Sequence, residues 1–177
     1  MKRLFLLRHG KSAWGSIGLP DIERPLKKRG MQASIAMGHY FKAQGYSVDE
    51  VLCSPARRTT ETFSLFSEPA GITLTPRYDR RLYETGAGQL LERLQEVEEP
   101  KSAVLLVGHN PGMEDLASRL PSPGTNDPAT REMAFKYPTG ALTVIDFACA
   151  TWPDVGWGSG TLVEFRTPRS LDEKYDD

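Results

Sequence analysis

The chain has 177 residues, 39% of them hydrophobic and 25% charged, enough for one domain whose core needs no disulfide or metal staple. Its 22 basic and 23 acidic residues leave a formal net charge of −1. That excludes a global field drawing the protein to nucleic acid or anionic lipid, so any anion site must come from a local cluster of positive groups.

The chain opens with Lys2-Arg3 and four apolar residues, Leu4 to Leu7, before Arg8-His9-Gly10 interrupts. A secretion signal needs an apolar region of about 7–15 residues. No segment approaches the roughly 18 apolar residues of a membrane span. A soluble, cytoplasmic protein with no membrane or nucleic-acid partner is expected, and a monomer. Cys53 and Cys149 form no CxxC pair and read as reduced core thiols.

Leu4–Leu7 is the first of three short apolar runs that end in turn-forming residues. Val51-Leu52-Cys53 ends in Ser54-Pro55, and Val104–Val107 ends in Gly108-His109-Asn110-Pro111-Gly112. Continuous apolar runs of this length suit strands buried on both faces, as in a parallel sheet under helices. Between them, residues 26–44 space Leu26, Met31, Ile35, Met37, Tyr40 and Phe41 among polar residues, which predicts an amphipathic helix ended by Gly45. Residues 56–68 and 88–98 predict two more. Ser54-Pro55 and Asn110-Pro111 each place a capping side chain before a proline expected at the first helical position.

Four prolines with Ser, Gly, Asn and Thr from Pro121 to Pro138 predict a long surface loop. Ala141–Phe147 and Thr161–Phe165 predict two strands. Residues 171–177 form a charged tail expected to fray, so residues 1–170 make a single α/β domain. Trp14, Trp152 and Trp157 are expected to pack. The architecture expected is a three-layer α/β/α fold with a mostly parallel central sheet flanked by helices.

In open α/β sheets, ligands bind beyond the carboxyl ends of the strands, where helices begin. Three separate strands deliver Arg8 and His9, then Arg57 and Arg58, then His109 to such an end. Helix starts there favour phosphate, and two cations at the positive end of a helix dipole oppose the usual preference unless an anion joins them. A pocket with cationic donors in several directions is what phosphoryl transfer requires, because its transition state spreads charge over three equatorial oxygens. Metal catalysis is the rival use of His9 and His109. Only three histidines are present, none in an HxxxH pair, and the cysteines are not spaced as ligands.

Leu7-Arg8-His9-Gly10 resembles the RHG signature of the histidine phosphatase superfamily, which includes cofactor-dependent phosphoglycerate mutases. The segment from Ser54 to Thr62, with Arg58 four and Thr62 eight positions after the serine, resembles its second block, and Val107-Gly108-His109-Asn110-Pro111 its third. The resemblance implies a metal-independent phosphatase without cofactor. His9 would be the nucleophile forming a phosphohistidine. Arg8 and Arg58 would bind the phosphoryl oxygens through their guanidinium forks, and His109 would hydrogen-bond an oxygen of the transferring group. Arg57 competes with Arg58, although spacing from Ser54 favours Arg58. Leu82-Tyr83-Glu84 resembles the family segment whose carboxyl group protonates the leaving group, a role worth about 10²–10⁴-fold where it operates. A phosphoramidate leaves more easily, so Glu84 is dispensable for some substrates.

Lys11 stands where mutases place a glutamate, and Gly15 where they carry an asparagine, which argues against mutase chemistry and leaves open whether Lys11 touches phosphate. Lys11-Ser12-Ala13-Trp14, with Arg24-Pro25-Leu26 and Arg29-Gly30, looks like the small SixA-type branch, whose substrates are phosphohistidines on proteins. Between Glu84 and His109 lie only one helix and one strand, so the resemblance implies a phosphoglycerate mutase-like fold without a large cap. An open pocket suits a phosphorylated protein better than a small metabolite. Two alternatives are a small-molecule phosphatase using residues 121–138 as a lid and a non-catalytic module that binds phosphate or phosphoprotein.

Overall fold

The computed structural model describes residues 1–14, 17–124 and 126–176; Gly15 lies outside the described residues. Six strands, β1 (Lys2–Arg8), β2 (Glu50–Cys53), β3 (Arg77–Tyr78), β4 (Ala103–Gly108), β5 (Leu142–Phe147) and β6 (Gly160–Arg166), form one sheet in the order β3-β2-β4-β1-β5-β6. The first four run parallel, and β5 and β6 add an antiparallel edge beyond β1.

Both faces of the sheet are covered. Leu4 and Leu6 of β1 enter one core cluster, with Leu90, Leu94, Met113 and Leu116 from helices α3 (Ala87–Gln95) and α4 (Gly112–Arg119). Phe5 and Leu7 enter the other, with Met37 and Phe41 of α1 (Lys28–Ala43) and Phe63 and Phe66 of α2 (Arg57–Ala70). The period-two alternation of a strand thus feeds two apolar layers, which is why the runs are apolar throughout. Helices α1 and α2 cross closely at Gly38, where an added Cβ would sit 2.4 Å from the Phe66 carbonyl oxygen. Cys53 is wholly buried in this layer and Cys149 partly buried against the other.

Several expectations are corrected. Residues 121–138 are not a plain loop: helix α5 (Pro128–Phe135) lies within them, capped by Asp127, whose carboxylate accepts from Thr130 N at 3.0 Å. The Asn-Asp-Pro group was a helix start as well as a turn signal. Beyond β6, helix α6 (Pro168–Leu171) carries a Thr167–Ser170 capping box, and Glu173–Tyr175 form a single 3₁₀ turn. Neither Pro55 nor Pro111 is the first residue of its helix. Helix α2 starts at Arg57 and α4 at Gly112.

Register sets the position of the site. Leu7 and Cys53 both pair with Val107, so Arg8, Ser54 and Gly108 emerge level at one sheet edge. Backbone bonds continue past the strands, from His9 N to Gly108 O and from Ser54 N to Val107 O, both 3.1 Å.

Candidate active site

At that edge Arg8, His9, Lys11, Arg24, Arg58 and His109 line a cavity of about 270 Å³, with Ser12, Trp14, Asn110 and Thr139 completing its wall. Among the described residues no Asp or Glu lines it. The four cationic side chains make it the local positive cluster that a chain with a net charge of −1 requires.

His9 is buried, and its Nδ1 lies 2.8 Å from the Gly10 carbonyl oxygen. A carbonyl can only accept, so this contact places the ring proton on Nδ1 and leaves the Nε2 lone pair for a reacting atom. Burial holds the imidazole neutral, pushing its pKa down to about 3. The Gly10 carbonyl opposes that shift, and Arg8, Arg58 and Arg24 reinforce it. The Gly10 turn is itself clamped: its N–H donates to Thr62 Oγ1 at 2.9 Å, and Thr62 donates to the Arg58 carbonyl at 2.6 Å. A Cβ on Gly10 would lie 2.8 Å from the Gly30 carbonyl oxygen, so the loop is seated against the start of α1.

His109 faces His9 with ring centroids 5.3 Å apart. Its Nε2 lies 2.8 Å from Ser54 Oγ, while its buried Nδ1 has no partner among the described residues. Burial is the main cause holding its pKa down to about 3, with His9 and Arg58 adding to it. Arg58 is only 5% exposed. It donates from Nη1 to the Asp21 carbonyl at 2.9 Å and from Nη2 to the Asp21 carboxylate at 3.1 Å, leaving Nε without a partner. Arg57 is exposed and lies 3.4 Å from Glu61, so the structure places Arg58 and not Arg57 in the cavity. Arg8 donates from Nη1 to the Tyr137 carbonyl at 2.7 Å.

Glu84 is not brought to this cavity. It is exposed, has φ 50°, and lines a separate cavity of about 560 Å³ with Arg81, Glu92, Arg93 and Glu96. Tyr83 lines that cavity too, with its ring 5.5 Å from that of His109 and its hydroxyl on Asp21.

Asp21 is a residue that sequence reasoning missed. The Tyr83 hydroxyl, with Arg58 and Arg24 beside it, holds its carboxyl at about 2. It therefore stays a carboxylate and orients arginines. It sits in a single 3₁₀ turn, Asp21–Glu23, with no periodic signal. The one available hint is its place three residues before Arg24, which donates to it at 2.9 Å. Trp14 also departs from expectation: it is 86% exposed, whereas Trp152 is fully buried. Among the described residues no group of three or more His, Cys, Asp or Glu could hold a metal ion, and no helix is long and apolar enough to cross a membrane.

The carboxyl edge of the parallel strands thus presents two imidazoles and a cluster of arginines in an α/β protein. The model of the histidine phosphatase superfamily (branch 1) matches residues 4–119, and the chain belongs to that family. It is 36% identical to an uncharacterized protein of Mycobacterium tuberculosis over 164 residues, covering 92% of this chain and all of the relative. Among solved structures, a candidate phosphohistidine phosphatase SixA from Nakamurella multipartitia superposes with a TM-score of 0.82 at 26% identity, covering 94% of this chain and 96% of that one. One from Agrobacterium tumefaciens gives 0.78 at 25%, covering 94% and 98%. The fold is therefore the phosphoglycerate mutase-like one in its small form, without a large cap.

Proposed function

We propose that this chain is a metal-independent phosphatase that takes a phosphoryl group onto His9 Nε2, with phosphohistidine on a protein as its substrate. The observation that carries this reading is a cationic cavity containing a neutral, tautomer-fixed imidazole, with no carboxyl group among the described residues of its wall. An alkoxide leaving group needs a proton donor in the transition state. The ring of a phosphohistidine does not when its second nitrogen carries a proton, because it then departs as a neutral imidazole and the electron pair of the broken P–N bond stays on a weakly basic ring nitrogen. Attack by His9 Nε2 forms one P–N bond as the substrate's P–N bond breaks. Water then attacks phosphorus, inorganic phosphate leaves, and His9 regains its lone pair.

Arg8, Arg58 and the Nδ1–H of His109 would hold the three equatorial oxygens. The names of the Nakamurella and Agrobacterium relatives support the same substrate class. No described residue between 121 and 138 lines the cavity, which favours an open site over one lidded by that segment. The test is incubation with a radiolabelled phosphohistidine protein in the presence of EDTA. An acid-labile phosphoenzyme and release of inorganic phosphate are expected, both abolished in His9→Ala. Undiminished turnover by His9→Ala overturns the reading.

A further inference from the structure

Trp14 leaves a large, mostly apolar ring in water at 86% exposure, although such rings ordinarily contribute their area to a core or an interface. The backbone leading to it is held. The flanking backbone is zipped to a neighbouring segment: Lys27 N donates to Lys11 O at 2.8 Å, Ala13 N donates to Pro25 O at 2.9 Å, and Ser12 forms a bridge with Leu26. The Arg24 guanidinium lies 5.1 Å from the centre of the indole and donates to the Ala13 carbonyl at 3.3 Å. Arg24 is in turn held by Asp21, the carboxylate that also orients Arg58. One chain of contacts thus links the exposed indole to an arginine of the cavity, and Trp14 lines that same cavity.

Trp157, by contrast, is 41% exposed beneath the Arg119 guanidinium, 3.9 Å away, and lines a different depression. Among the described residues Trp14 is the aromatic side chain in the cavity wall besides the two histidines.

We infer that Trp14 is a specificity-determining platform that stacks on the aromatic leaving group of the substrate, the imidazole ring of a phosphohistidine. The inference rests on the phosphohistidine reading above and adds the residue that would select for a ring. Stacking requires a π-face on the ligand and is indifferent to its hydrogen-bonding pattern. A phosphoryl group carried on a ring therefore gains at this wall, and one carried on a small aliphatic group does not.

The test compares two non-hydrolysable probes by calorimetry: 1,2,3-triazol-4-ylphosphonate, which carries an azole ring, and methylphosphonate, which carries none. The wild type should bind the triazole at least about tenfold more tightly, a factor within the range of one stacked ring. Trp14→Ala should erase that preference, Trp14→Phe should keep most of it, and Trp157→Ala should not alter it. Equal weakening of both probes in Trp14→Ala, or a wild type without preference, overturns the inference. Failure of both probes to bind overturns it together with the phosphatase reading. A Trp14-dependent preference in a protein that never labels at His9 would overturn the enzymatic reading alone.

Discussion

Ser54 Oγ and His109 Nε2 lie 2.8 Å apart across two adjacent strand ends. The same hydroxyl accepts from Ala56 N at 3.3 Å, so its proton is available to His109. Nε2 is then the acceptor and Nδ1 carries the hydrogen, which leaves a buried donor without a protein partner. A phosphoryl oxygen supplies the missing acceptor. Ser54→Ala removes the group that fixes this tautomer. We expect kcat/KM on a phosphohistidine protein to fall about 10–100-fold, the range for one buried hydrogen bond to a charged partner, with the fold intact by circular dichroism. A change below twofold would mean that the tautomer is set elsewhere.

Glu84→Gln separates two accounts of the leaving group. A general acid is worth about 10²–10⁴-fold. Glu84 lines a cavity apart from His9, so the variant should retain kcat on phosphohistidine to within about threefold. A hundredfold loss would place the carboxyl group in the reaction.

How the sequence foreshadowed the site follows from where each residue stands. His9, Ser54, Arg58 and His109 sit at or just beyond the ends of apolar runs, so the strand pattern gave their level and the topology their convergence. Glu84 and Asp21 sit in short turns where no period applies. Glu84 adopts a left-handed backbone torsion, which its residue type does not reveal. Helix α5 was hidden for a related reason. Asp, Asn and Pro serve both turns and helix caps, and only Met133 of that helix is buried, too little to give a periodic stripe.

The two depressed imidazoles make stability depend on pH. In the unfolded chain a histidine takes its proton near 6.5, whereas His9 and His109 resist it down to about 3. Between those values the unfolded state binds more protons, so stability falls as pH falls from about 6.5 toward 3. A loss on the order of 3 kcal/mol between pH 6.5 and 5, about half from each ring, is expected, read as a lower urea midpoint and flattened in the His9→Gln, His109→Gln double variant. Sulfate, an anion with no titration in this range, should bind more tightly as pH falls, because it favours the charged imidazoles. Sulfate affinity that is constant from pH 7 to 5 would show that the anion does not lie against these rings.

Gly30 tests how the nucleophile is held. A Cβ there would meet the Lys11 carbonyl oxygen at 2.2 Å and the Lys11 nitrogen at 2.7 Å, and backbone atoms cannot step aside by changing rotamer. Gly30→Ala must push the His9-Gly10-Lys11 turn away from α1. Overpacking of this kind costs about 1–3 kcal/mol, and the moved turn carries the attacking nitrogen, so labelling of His9 should slow at least tenfold. Gly88, in α3, has nothing within 4 Å of its added Cβ. Gly88→Ala should therefore stabilise by up to about 1 kcal/mol through helix propensity and leave labelling unchanged. Opposite signs for the two substitutions in urea midpoints are the expected result. A neutral Gly30→Ala would show that the turn is not seated on the helix start and that the position of His9 has another origin.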